Sequence, residues 1–221
     1  MIDDKIFLIL PTKNPTISLL KIVNFFEKRI KILIIDDGSN DKTEYFDIIK
    51  KKKILVLRNK INKGKGFSIK KAFKFLLKRN IKGCIVADSD GQHSIKDIRK
   101  IYNIFNKNKN KIIIGQRTFI FGRVPFRNYI GNQFSKILFN LIYRKNFKDT
   151  QCGLRAVPKK IMKKSINIKK NDYSFEMEFI IKFCLDSKNT SLFNIKTIYR
   201  NNISYFNPIT DSISVIQSFF K

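Results

Sequence analysis

The chain has 221 residues, of which 43% are apolar and 21 are phenylalanine, so one globular domain with a substantial core is expected. Its formal net charge is +29, and the lysines are spread along the whole chain apart from a short run at 50–53. We interpret this charge first as compositional drift and second as attraction to an anionic membrane surface, and we do not expect a nucleic-acid partner.

Several other classes of protein do not fit the sequence. No apolar run approaches the roughly 20 residues that cross a bilayer. The short run Ile6–Leu10 follows two acidic residues and lacks the form of a signal peptide. Three widely spaced cysteines favour reduced thiols in the cytoplasm over a disulfide framework or a zinc site.

Short apolar runs alternate with helical patterns in the first half of the chain. The predicted strands are Ile6–Leu10, Ile32–Ile35, Ile54–Leu57, Cys84–Ala87 and Ile112–Gly115. The predicted helices cover residues 18–29, 41–51, 66–79 and 95–107. This alternation predicts an α/β fold with a mostly parallel sheet and helices on both faces. In such sheets, ligands bind beyond the carboxyl ends of the strands.

The pattern changes after Gln116. Apolar residues at helical spacing between positions 126 and 142 predict a helix that either packs on the core or touches a membrane or a lipid substrate. A helix over Phe175–Leu185, a strand near Leu192–Tyr199 and an amphipathic helix from about Ile209 are expected to follow.

The most informative motif is Asp88-Ser89-Asp90-Gly91-Gln92-His93, which follows a predicted buried strand. Two carboxylates one residue apart at a strand end converge on one point. Mg²⁺ and Mn²⁺ take such oxygen ligands and share them with the phosphates of a substrate. The alternative is an ordinary turn, since Asp, Ser and Gly are common turn residues.

Three further motifs also stand at predicted strand ends: Pro11-Thr12-Lys13-Asn14, Asp36-Asp37-Gly38-Ser39 and Asn62-Lys63-Gly64-Lys65-Gly66. The acids of the second motif could accept hydrogen bonds from a ribose or a base. The glycines of the third would let backbone N–H groups approach an anion. The phosphate-loop and dinucleotide fingerprints of ATPases and dehydrogenases are absent from the sequence.

In this order and spacing, the four motifs resemble family 2 of the glycosyltransferases, and more narrowly the dolichyl- or polyprenyl-phosphate sugar synthases. The resemblance continues through Gly115–Arg117, Asp149–Arg155 and Phe175-Glu176. It implies a GT-A fold over residues 1–221, with a nucleotide-binding half (1–116) and an acceptor-binding half (117–221). It also implies a nucleotide-sugar donor, Mg²⁺ or Mn²⁺, and inversion at the anomeric carbon.

The resemblance also implies roles for individual residues. The nucleotide sugar would contact Pro11, Asn14, Asp36, Asp37, Gly64, Gly66, Asp88 and Ser89. The metal would be held by Asp88, Asp90 and Gln92. The acceptor phosphate would meet Arg117, with Ser135 and Arg155 as further acceptor residues, and Arg200 would clamp the leaving diphosphate. Asp90, Arg117 and Arg200 are thus the expected catalytic residues.

Some choices stay open from the sequence. Lys13 and Pro15 stand where the family usually has Tyr and Glu, so the choice between a UDP and a GDP donor is open. A polyprenyl-phosphate acceptor is already anionic and needs no base, whereas a saccharide hydroxyl would need one, with Glu176 or Glu178 as candidates. A basic binding module without catalysis is a distant alternative. We expect His93 to support the neighbouring acids or to cap a helix, with direct contact to the diphosphate or the metal as the alternative. We also expect a peripheral protein on the cytoplasmic face of a membrane.

Overall fold

The computed structural model describes residues 3–52, 54–118, 126–196 and 198. Its strands are β1 (Asp3–Thr12), β2 (Ile30–Asp36), β3 (Leu55–Arg58), β4 (Gly83–Val86), β5 (Ile112–Arg117), β6 (Arg155–Pro158) and β7 (Thr190–Ile195). Its helices are α1 (Ile17–Phe26), α2 (Glu44–Lys51), α3 (Lys65–Leu77), α4 (Ile95–Lys107), α5 (Phe126–Tyr143), α6 (Lys159–Ser165) and α7 (Ser174–Phe183). The predicted amphipathic helix from Ile209 and the predicted catalytic residue Arg200 lie outside the described residues.

The seven strands form one sheet in the order β3-β2-β1-β4-β6-β5-β7. The pairs β1–β2, β2–β3, β1–β4 and β5–β7 are parallel, whereas β6 runs antiparallel to both of its neighbours, β4 and β5. The predicted α/β fold with a mostly parallel sheet is therefore confirmed. Strands β1, β2, β4 and β5 end at the same edge, which brings the sequence motifs together.

Alternate residues of the strands point to opposite faces of the sheet, and each face carries its own core. Phe7 and Ile9 of β1 join the core under α3, α5, α6 and α7. Ile6, Leu8 and Leu10 join the core under α1, α2 and α4. Helices thus cover both faces as predicted, which is why the central strands are apolar almost throughout.

Most predicted helices agree with the structure to within three residues at each end. The start of α4 has the expected cap, because the Ser94 hydroxyl accepts a hydrogen bond from the Asp97 amide at 3.0 Å. Strand β6 and helix α6 were not predicted. Strand β6 has only four residues and begins with an arginine, so it does not form an apolar strand pattern. Helix α6 has only seven residues, four of them lysines. Arg155, the last residue of the Asp149–Arg155 motif, is the first residue of β6.

Helix α5 has an apolar stripe that is only partly used by the core. Phe139 is fully buried and packs edge-on against the Phe147 ring at 5.1 Å. On the other side, five large apolar side chains are between 41% and 75% exposed: Ile130, Phe134, Ile137, Leu141 and Ile142. Helix α5 therefore buries one face and leaves an apolar face open. Among the described helices, none is both long and apolar enough to span a membrane.

Candidate active site

Two acids lie just beyond the end of β4. The Asp88 carboxylate is contacted on both oxygens: the Lys65 ammonium is 2.5 Å from Oδ1 and His93 Nε2 is 3.0 Å from Oδ2. Asp90 accepts a hydrogen bond from the Gln92 amide at 2.9 Å. As expected, His93 supports the acids, and it does so by orienting Asp88.

The two carboxylates have opposite pKa shifts. Burial opposes the charge of Asp88, but Lys65 and His93 outweigh it and hold the pKa of Asp88 well below its usual value. Burial and the negative charge of Asp88 raise the pKa of Asp90. The negative charge of Asp88 disfavours a second negative charge on Asp90. A cation bound between the two carboxylates would relieve this repulsion.

These residues suit a hard divalent ion that shares its ligands with a substrate. Asp88 and Asp90 supply oxygen donors at one strand end, and the Gln92 side chain is partly accessible beside them. Within the described ranges, no group of three or more His, Cys, Asp or Glu side chains forms a complete metal site. Mg²⁺ is commonly held by one or two carboxylates together with phosphates and water.

Lys65, Glu176 and Arg155 form a chain of charges behind Asp88. The Lys65 ammonium also lies 3.1 Å from Glu176 Oε1, and the other oxygen of Glu176 contacts the Arg155 guanidinium. Glu176 and Arg155 are almost completely buried. Sequence reasoning missed Lys65, although it stands between the two glycines of the third motif.

Arg155 is fully buried, whereas a residue that binds the acceptor is expected at an accessible position. Its guanidinium lies 4.7 Å from the centre of the Phe179 ring and donates a hydrogen bond to the Cys152 carbonyl at 3.0 Å. Burial lowers the pKa of Arg155. These contacts account for Arg155 as a support under the site, and its acceptor role stays a prediction.

Arg117, at the end of β5, is held by a buried acid. Its Nε donates to Asp149 Oδ2 at 2.5 Å and its Nη2 donates to Oδ1 at 3.3 Å. Burial opposes the charges, but the pairing raises the pKa of Arg117 and lowers the pKa of Asp149. Arg117 ends β5 and Asp88 follows β4, so both lie at the same edge of the sheet.

The buried face of α5 completes the surroundings of Asp149. Asn132 Nδ2 donates to Asp149 Oδ1 at 3.2 Å, and Gln151 Nε2 donates to the Ser135 hydroxyl at 3.4 Å. Ser135 is buried, and its contact with Gln151 places it against the loop that holds Arg117. Two of the three predicted acceptor residues, Arg117 and Ser135, therefore lie around one loop.

The predicted nucleotide residues lie around the ends of β1 and β2. Asp36 accepts from the Ser39 amide at 2.9 Å and pairs with Arg58 Nε at 3.1 Å. The Ser39 hydroxyl accepts from the Asn14 amide at 2.8 Å. Ser89 donates to the Pro11 carbonyl at 3.1 Å, which ties the first motif to the metal motif.

Asp37 organises the glycine loop that precedes α3. Its carboxylate accepts from Asn59 Nδ2 at 2.7 Å and from the amides of Lys63 and Gly64, both at 2.9 Å. Gly64 has a φ of +94°, and a Cβ there would lie 2.4 Å from the Asn171 carbonyl oxygen. The packing of this loop accounts for Gly64, and a direct contact of Asp37, Gly64 or Gly66 with the nucleotide stays a prediction.

Comparison with known proteins agrees with this geometry. Residues 8–169 match the profile of glycosyl transferase family 2. An uncharacterized protein of Methanocaldococcus jannaschii is 35% identical over 70% of this chain and 72% of its own. A UDP-N-acetylglucosamine–dolichyl-phosphate N-acetylglucosaminyltransferase of Methanococcus voltae is 26% identical over 90% of this chain and 88% of its own.

Two further similarities extend the comparison. A dolichyl-phosphate beta-glucosyltransferase of Dictyostelium discoideum is 31% identical over 57% of this chain and 41% of its own. The crystal structure of glucosyl-3-phosphoglycerate synthase from Mycobacterium tuberculosis, with Mn²⁺, UDP and glucosyl-3-phosphoglycerate, superposes with a TM-score of 0.76. That match covers 98% of this chain and 78% of the synthase at 14% identity, and it shows the GT-A fold.

Proposed function

This chain belongs to glycosyl transferase family 2, and on that premise we propose that it transfers a sugar from a nucleotide sugar to a polyprenyl phosphate. The observation that carries the proposal is the pair Asp88 and Asp90 just beyond β4, with Arg117 at the end of β5 on the same edge of the sheet. Family membership makes the chain a glycosyltransferase, which removes the alternative of a binding module without catalysis.

The acceptor is inferred from two relatives. The names of the Methanococcus and Dictyostelium proteins differ in the sugar but share dolichyl phosphate. The proposal for this chain is therefore more specific for the acceptor than for the donor. Arg117 supports it, since a guanidinium binds phosphate with paired hydrogen bonds and Asp149 fixes its orientation.

The proposed reaction inverts the anomeric carbon. An acceptor phosphate oxygen attacks that carbon, the bond to the diphosphate breaks, and the nucleoside diphosphate leaves with the electron pair. Mg²⁺ or Mn²⁺ held by Asp88, Asp90 and Gln92 would supply a Lewis acid for the leaving charge. Arg117 orients the anionic acceptor, and we propose that Arg200 clamps the leaving diphosphate. No proton needs to move, so no general base is required.

Both candidate bases for a saccharide acceptor are occupied by cations. Glu176 is buried between Lys65 and Arg155. Burial opposes the charge of Glu178, but the hydrogen bonds from Lys182 and from the backbone of Lys170 lower its pKa. A lowered pKa makes a carboxylate a weaker base, which favours the phosphate acceptor over a hydroxyl.

We also propose that the exposed apolar face of α5 lies on an anionic membrane on the cytoplasmic side. The opposite face of the helix contacts the loop that holds Arg117, so α5 would connect the membrane surface to that loop. Three exposed cations follow the apolar face and suit anionic head groups: Arg144, Lys145 and Lys148.

The acceptor is tested by label transfer from a panel of UDP- and GDP-sugars to dolichyl phosphate, undecaprenyl phosphate and a soluble saccharide. Labelled product that extracts into chloroform is expected from one donor. Nucleotide binding together with product only on the saccharide would contradict the lipid acceptor and would return Glu178 to consideration as a base.

The membrane contact is tested by sedimentation with vesicles of phosphatidylcholine, with and without phosphatidylglycerol. Binding to the anionic vesicles alone, weakened by salt, is expected for the wild type. Leu141→Glu places a charge on the most exposed residue of the α5 face and should abolish it. Ile61→Glu, at an exposed apolar position outside α5, is the matched control. Equal binding by both variants would contradict the contact.

A further inference from the structure

Lys65 holds a position that a divalent ion would also require. Its ammonium is 2.5 Å from Asp88 Oδ1, 3.1 Å from Glu176 Oε1 and 5.9 Å from the centre of the Tyr173 ring. The Lys65 side chain is 14% exposed. The cation thus binds an oxygen of one of the two carboxylates that we propose as metal ligands.

Glu176, the second partner of Lys65, is held in place by its other contacts. Glu176 also contacts Arg155, which is fully buried and lies against Phe179. Removing the counter-charge from a buried arginine is costly, so Glu176 is fixed in place. Lys65 therefore always has one anchored acid beside it, whether or not Asp88 is available.

A glycine makes the contact between Lys65 and Asp88 possible. A Cβ on Gly153 would lie 2.4 Å from Asp88 Oδ2 and 2.6 Å from Lys65 Nζ. Any other residue would force the two side chains to shift. The loop that leads into β6 is therefore shaped around this ion pair.

We propose that Lys65 competes with the divalent ion for Asp88, so that the metal binds well only together with the nucleotide diphosphate. This inference rests on the metal site of the proposed function. A positive charge beside Asp88 disfavours a second cation there, and the negative charges of the diphosphate offset this repulsion. When Lys65 leaves Asp88, it keeps Glu176 as its partner. Lys65 and Glu176 are thus positioning residues that couple metal binding to donor binding.

The test is the affinity for Mn²⁺ alone, measured in the absence of nucleotide from the electron paramagnetic resonance signal of the free ion. Lys65→Met should bind Mn²⁺ roughly tenfold more tightly than the wild type, and the gain should shrink when UDP or GDP is added. Lys65→Arg keeps the charge and should retain the weak wild-type affinity. Lys74→Met removes an exposed lysine from the same helix and should change nothing.

The outcomes distinguish failure of the competition by Lys65 from failure of the metal site. Wild-type binding of Mn²⁺ with nucleotide, but no tighter binding of the ion alone by Lys65→Met than by Lys74→Met, overturns the competition and leaves the metal site intact. No Mn²⁺ binding by any variant, even with UDP and with GDP, overturns the metal site itself and the competition with it. A melting curve for each variant verifies that it is folded.

Discussion

The buried pair of Arg117 and Asp149 should contribute strongly to the stability of the fold. Asp149 is fully buried and accepts hydrogen bonds from Arg117, Asn132 and the Gln151 amide. Asp149→Asn keeps the shape but leaves the charge of Arg117 without its partner. Removing one member of a buried ion pair costs about 3–5 kcal/mol. For a chain of this length, that loss corresponds to a decrease in Tm of roughly 6–20 °C.

The assay is thermal and urea unfolding followed by circular dichroism, with Asp47→Asn as the matched control. Asp47 pairs with Lys50 at 3.0 Å on the surface, where the two side chains are 72% and 66% exposed. The same substitution there should change the free energy of unfolding by less than about 0.5 kcal/mol. Unfolding of the two variants at the same temperature would show that the buried pair contributes no more stability than the surface pair.

The same pair gives the stability a pH dependence of known sign. The pKa of Asp149 is lower in the folded protein than in the unfolded chain, where it is about 3.9. The stabilisation is therefore present above that unfolded value and is lost as the pH falls through the folded pKa. The difference in unfolding free energy between the wild type and Asp149→Asn should be constant near neutral pH and should shrink below about pH 4.

Three other predictions follow from single positions. Gly153→Ala should leave the circular dichroism spectrum unchanged but lower sugar transfer about 100-fold, since its Cβ would displace the Asp88 carboxylate; full activity would contradict the placement of Asp88 in the site. Gly64→Ala should lower the unfolding free energy by roughly 1–3 kcal/mol in urea, because of its positive φ and the close Asn171 carbonyl; an unchanged urea midpoint would count against this. Cys84, Cys152 and Cys184 are buried, and burial raises the pKa of each thiol, to about 12 for Cys152 and Cys184. A disulfide reagent at pH 8 should therefore label no thiol in the native protein and all three in urea. Rapid labelling of the native protein would contradict this burial.

The strands and helices of the first half could be predicted because their patterns are local. Apolar runs such as Ile32–Ile35 are read directly from the sequence, and they form the central strands. Strand β6 could not be predicted in this way. Arg155 is its first residue, and only tertiary contacts with Glu176 and Phe179 make burial of a guanidinium tolerable.

The site was predictable where its residues follow one another in the chain. Asp88 and Asp90 belong to one motif, and their closeness is a consequence of sequence spacing. The contact of Lys65 with Asp88 and Glu176 joins three segments that are distant in sequence, so no spacing indicates it. The carboxylates of Asp36 and Asp37 accept hydrogen bonds from protein groups that their motif does not indicate, and their contacts with a ligand stay predictions.

The most direct test of the proposed function compares the wild type with Asp90→Ala in sugar transfer to dolichyl phosphate, with Mn²⁺ or Mg²⁺ and with EDTA. Lipid-linked product is expected from the wild type with metal only, while Asp90→Ala stays folded and inactive. Transfer at the wild-type rate by Asp90→Ala, or by the wild type in EDTA, would contradict a metal-assisted reaction at the end of β4.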